Sequence, residues 1–102
     1  MPDSFKVTLL IPMKDNDGKQ FDSRTWLWWH HELSSLVSGF TDIGIVTGWW
    51  RGYSDRNRGT VIIVRSMDEV SAIRSLLVRA RNRFRQEAMY FEYHAVTFEE
   101  VR

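Results

Sequence analysis

A chain of 102 residues with 43% hydrophobic content has material for one core, and a second domain is not expected at this length. It contains no cysteine, which removes disulfides, thiolate metal sites, cysteine nucleophiles and redox dithiols. The net charge of +1 conceals an imbalance, because Arg51 to Arg85 holds nine basic and three acidic residues while the remainder holds five and ten. Such asymmetry serves an anionic ligand or head-to-tail contact between copies. Residues 1–102 are therefore read as one domain. The opening Met-Pro-Asp-Ser has no basic segment leading into a long apolar run, and no stretch approaches the roughly 20 apolar residues a membrane span needs. A cytoplasmic setting without membrane contact is the expectation.

Phe5 to Met13 is apolar on both alternating faces, as a central strand requires, and Pro12 closes it. Lys14 to Lys19 has turn composition. Its Asp-Asn-Asp-Gly core invites a calcium loop, but aligning Gly18 with the loop glycine puts Met13 at the first ligand position and Arg24 where a bidentate Glu belongs. No metal site is expected, and no cofactor.

Asp22 or Ser23 can cap a helix to about Ser38, with Gly39 placed to stop it. Helical spacing gathers Trp26, Trp29, Leu33, Leu36, Val37 and Phe40 on one side, while Trp28 points nearly opposite. A tryptophan there calls for a partner surface or a neighbouring loop. Phe40 to Trp50 reads as a second strand, Arg51 to Gly59 as a polar loop, and Thr60 to Arg65 as another central strand.

Ser66-Met67-Asp68-Glu69 matches the capping box that starts a helix. Val70, Ile73, Leu76, Leu77, Ala80 and Phe84 form its apolar side, with arginines on both flanks. Ala88 to Val101 reads as a long aromatic last strand. Elements in this order make a β-α-β-β-α-β unit: a ferredoxin-like α+β domain, with a four-stranded antiparallel sheet carrying both helices on one face. Apolar residues on both faces of the strands leave the other face in need of cover, which a second copy supplies most simply, so a homodimer is expected.

The residues that could carry chemistry are few. His30 and His31 are helical neighbours and diverge too far to share a metal. Glu92 and His94 fall on one face of the last strand, where they form either an acid–base pair, with His94 the proton shuttle of a small cofactor-free enzyme, or a polar interface pair. Trp49, Trp50, Arg51 and Tyr53, with Trp28, offer aromatic faces beside positive charge for a small ligand or a protein segment. The alternative is a hairpin tip whose β-bulge packs against Trp28. Arg56, Arg58, Arg74, Arg81 and Arg85 would serve nucleic-acid binding, although no aromatic RNA-recognition pattern occupies the central strands.

Gly39-Phe40-Thr41, Gly48-Trp49-Trp50 and Gln86-Glu87-Ala88-Met89-Tyr90 resemble the landmarks of small uncharacterised bacterial proteins of ferredoxin-like topology. The resemblance covers Gly39 to Val101 and implies the fold but no activity. It points to the Gly-Trp segment and the last strand.

Overall fold

The computed structural model describes residues 4–102, with the Trp50 side chain outside the described residues. It consists of β1 (Ser4–Pro12), α1 (Ser23–Leu36), β2 (Thr41–Trp50), β3 (Tyr53–Val64), α2 (Met67–Arg83) and β4 (Tyr90–Val96). The strands form one antiparallel sheet in the order β2-β3-β1-β4, a ferredoxin-like α+β arrangement. No helix among the described residues is long and apolar enough to cross a membrane.

The central pair explains the core. Register sets Val7 opposite Ile62 and Phe5 opposite Val64, so their side chains share the helix-facing side with Leu9 and Ile11. Trp29 and Leu33 of α1 and Val70, Ile73, Leu76, Leu77 and Ala80 of α2 close over them. Phe84, just past α2, is completely buried. Phe21 meets it edge-on at 4.8 Å, and Trp26 and Trp29 lie 5.0 and 6.4 Å away.

Both helix starts follow the capping reading. Asp22 Oδ1 accepts the Thr25 N–H at 3.0 Å, and Ser66 Oγ accepts the Glu69 N–H at 3.2 Å. The first helix nevertheless ends at Leu36 rather than Ser38, and Gly39 is not its stop. Val37 already has extended backbone, which turns its partly buried side chain and that of Phe40 back onto the core. The second helix ends in a Schellman arrangement: Gln86 N–H bonds to Arg81 O and Arg85 N–H to Asn82 O, with Arg85 in the left-handed region at φ 53°.

Two further boundaries differ from the sequence expectation. Arg51 to Gly59 is not a loop, because β2 and β3 pair without interruption to Trp50 opposite Tyr53. Only Arg51 and Gly52, at φ 51° and 83°, make the turn, and two successive positive φ values define the type I′ hairpin. Pairing overrides the turn preference of Asp55, Asn57 and Gly59. Since β1 pairs with β3 only as far as Pro12 opposite Asn57, the hairpin beyond projects as a two-stranded arm. The last strand stops at Val96, opposite Ser4, and residues 97–102 leave the sheet where Arg65 stacks 5.4 Å over Phe98.

The open face of the sheet is less apolar than alternation implied. Leu10, Val61, Ile63 and Tyr90 share it with Lys6, Thr8, Glu92 and His94.

Candidate functional site

The arm, the loop after β1 and the start of α1 enclose a groove of about 500 Å³. Phe21 and Trp26 form one wall and Ile45, Ser54, Asp55 and Arg56 the other, with Lys14 and Gln20 at the rim. Trp26 also borders a second, shallower hollow with Leu27, His30 and Arg58. Its indole is held edge-to-face by Phe21 at 5.9 Å and covered by the Arg58 guanidinium at 5.0 Å. Arg58 Nε is buried without a hydrogen-bond partner, its nearest acid being Asp42 Oδ2 at 3.9 Å. The site is thus an aromatic wall faced by guanidinium groups that β3 supplies from alternate residues of one face.

The loop on the near side is held rigidly. Asp15 is buried, and its Oδ1 accepts the N–H groups of Asp17 and Lys19, both at 2.9 Å. A backbone bridge joins Lys14 to Gln20, and Gly18 takes φ 81°. Gln86 Nε2 donates to Lys14 O at 2.8 Å, so the segment after α2 braces the same loop. The Lys19 N–H, opposed by burial and helped by the Asp17 N–H, holds the Asp15 carboxyl below its usual 3.8. A lowered folded-state value means the stabilisation is complete above that usual value and is lost as pH falls through the lower, folded one. NMR should therefore show the Asp17 and Lys19 amide resonances shifting together on acidification below pH ~4. In Asp15→Asn that step should vanish while the amide bonds persist; an unchanged step in the variant would remove Asp15 as its source.

The residues singled out from sequence are scattered. Trp49 is 73% exposed and Tyr53 79% exposed. Trp49 lies opposite Ser54 and Tyr53 opposite Trp50, so Trp49 and Tyr53 occupy opposite faces of the arm, with Arg51 in its turn. The expected contribution of the Trp50 side chain falls outside the described residues. Trp28 does not line this groove: it packs against the core beneath the Arg83 guanidinium, 5.2 Å from its ring. The helical projection set Trp28 apart from the α1 core stripe, but it contains no second helix and so could not show that α2 covers that side.

Glu92 and His94 share the open face but form no pair, since Glu92 Oε2 accepts the Tyr90 phenol at 2.9 Å and His94 lies opposite Lys6. That hydrogen bond is the main reason the Tyr90 hydroxyl is pushed above its usual 10.0. His30 stacks edge-on with Phe40 at 5.4 Å. Arg56 and Arg58 border the groove, Arg74 and Arg81 line a hollow between α2 and β4, and Arg85 pairs with Asp17 at 3.6 Å, so the basic residues divide among separate surfaces. Among the described residues no acid, histidine or cysteine cluster could hold a metal. Sequence reasoning missed Trp26, Asp15 and Gln86 as site residues. For Asp15 the turn composition was a usable signal, whereas Trp26 could not be told from an ordinary core residue.

The sequence matches no protein-family model and no curated protein. Among solved structures, the chain is similar to a phage SAM lyase in complex with S-methyl-5′-thioadenosine, at TM-score 0.64 and 13% identity over 93% of this chain and 83% of that one. At that identity the likeness establishes a shared fold.

Proposed function

We propose that this chain is a small-ligand-binding domain that takes a nucleoside-like molecule, a planar ring bearing a polar or anionic arm, in the groove between the β1–α1 loop and the hairpin arm. The groove itself carries this reading. Its volume of about 500 Å³ falls within the range of small-molecule sites, and its lining combines an aromatic wall with a few convergent polar groups. Trp26 and Phe21 offer faces for stacking, Arg56 a cation and Ser54 a hydroxyl. The ligand of the phage SAM lyase, an adenine nucleoside thioether, supports this class. A cysteine-free composition fits a cytoplasmic setting for such binding.

Calorimetric titration with S-methyl-5′-thioadenosine and with S-adenosylmethionine tests the reading. Saturable one-site binding by at least one probe is expected. Arg56→Ala should weaken it about ten-fold, the equivalent of ~1.4 kcal/mol and the low end for a charge-assisted hydrogen bond. Trp49→Phe, on the exposed arm, should leave it unchanged. Absence of saturable binding by either probe at millimolar concentration, or equal loss in both variants, would overturn the assignment.

A further inference from the structure

The two edges of the sheet differ. On the β2 side the outer edge is interrupted by a bulge between Asp42 and Gly44, where Gly44 turns to φ 81°, a device that twists an edge away from pairing. The β4 side has no such interruption: Tyr90–Val96 pairs with β1 in unbroken register and contains no proline, lysine or glycine. The tail that follows turns toward β3, where Phe98 meets Arg65 and shares a hollow with Val61 and Ile63. It leaves the outer edge of β4 alone.

The phase of the ladder identifies the groups presented there. Met13 N–H donates to Arg56 O at 3.0 Å, extending the β1–β3 ladder by one step. Odd-numbered residues of β1 therefore bond to β3 and even-numbered ones to β4. Lys6, Thr8 and Leu10 in turn fix His94, Glu92 and Tyr90 as the residues whose amides face inward. The amides of Phe91, Tyr93 and Ala95 point outward as open donors and acceptors.

We propose that β4 pairs with β4 of a second copy, antiparallel about a two-fold axis at Tyr93, to make one continuous sheet. Charge complementarity selects this partner and this register. With Tyr93 opposite itself, Glu92 faces the partner's His94 and His94 the partner's Glu92, while Phe91 faces the partner's Ala95. The Glu92 oxygen not used by Tyr90 is free to accept an imidazole N–H, and Lys6 adds positive charge beside His94. Moving the axis to residue 92 sets two glutamates opposite each other, and moving it to residue 94 sets Glu92 against Val96. A shift by one residue breaks the phase of the outward amides. The groove between α2 and β4, lined by Leu77, Val78, Met89 and Phe91, lies along the same edge and is closed by the second copy.

The absence of cysteine makes the test direct. Wild-type protein should have twice the chain mass by light scattering. Tyr93→Cys should form a disulfide-linked dimer on mild oxidation, because residues paired across the axis have Cα atoms within disulfide reach. Ile63→Cys, on the open face, should remain uncrosslinked. Glu92→Lys should raise the dimer dissociation constant at least ten-fold, and the exchange Glu92→His with His94→Glu should restore it. Tyr93→Pro removes an outward N–H without breaking the β1 ladder, and should give a folded monomer. A monomeric wild type at millimolar concentration, a crosslink at 63 in place of 93, or an exchange variant as weak as Glu92→Lys would overturn the proposal. Ligand titration into the Tyr93→Pro monomer separates this outcome from that of the groove.

Discussion

Phe84→Ala should lower the thermal midpoint by roughly 15–30 °C, since removing a buried phenylalanine costs about 3–5 kcal/mol and each kcal/mol is worth several degrees in a domain of this size. The side chain is fully buried, and Phe21, Trp26 and Trp29 surround it with centroid separations of 4.8 to 6.4 Å. No neighbour can fill the space without abandoning one of these ring contacts, so most of the cavity should persist. The loss is a large fraction of the whole stability of a small domain, ~5–15 kcal/mol. Phe84→Leu preserves most of the volume and should cost about 1.5 kcal/mol or less. Circular-dichroism melts of the two variants check the pair. A Phe84→Ala midpoint within a few degrees of wild type would mean that the ring does not organise the core. The functional consequence follows from geometry, because Trp26 leans on Phe84 on one side and faces the groove on the other. The aromatic wall of the groove is an extension of the hydrophobic core.

Gly59→Val should destabilise the domain by about 1–3 kcal/mol, the usual cost of overpacking, despite the better strand propensity of valine. Gly59 lies in the middle of β3 opposite Gly44, just beyond the bulge. A Cβ at this position would stand 2.6 Å from Ile43 Cγ1 and 2.8 Å from Cδ1, well inside contact distance. Ile43 occupies the space that a side chain at 59 would need, so its half-exposed side chain must shift to admit one. Ile43→Ala alone should cost less than about 1 kcal/mol, as expected for a half-exposed side chain. Combined with Gly59→Val it should recover most of the loss, giving a coupling energy above ~0.5 kcal/mol in a double-mutant cycle from chemical denaturation. Strict additivity of the two changes would show that the Ile43 side chain does not cover Gly59.

The candidate site was illegible in sequence for a reason visible in its members. Trp26 came through as one more apolar residue on a helical stripe, and Arg56 as part of a polar loop. They become a groove only because β3 continues past the end of β1 and carries Arg56 back beside the start of α1. Trp28 misled in the opposite sense. Its position on the helix was read correctly, but α2 covers that side and supplies Arg83.

Local chemistry by itself determined the number, type and order of the elements, the start of the first helix to within Asp22 or Ser23 and of the second at Ser66, and the burial of β1 and β3. Periodicity and capping act within a few residues, and hydrophobic alternation tells which strands must be central. Only the tertiary structure decided the length of the β2–β3 hairpin, the polar character of the open face, the end of β4 and the meeting of Phe21, Trp26 and Arg56. Each of these depends on which residue stands opposite which across the sheet, and hydrogen-bonded register between distant segments outweighs the turn and strand preferences of any single residue.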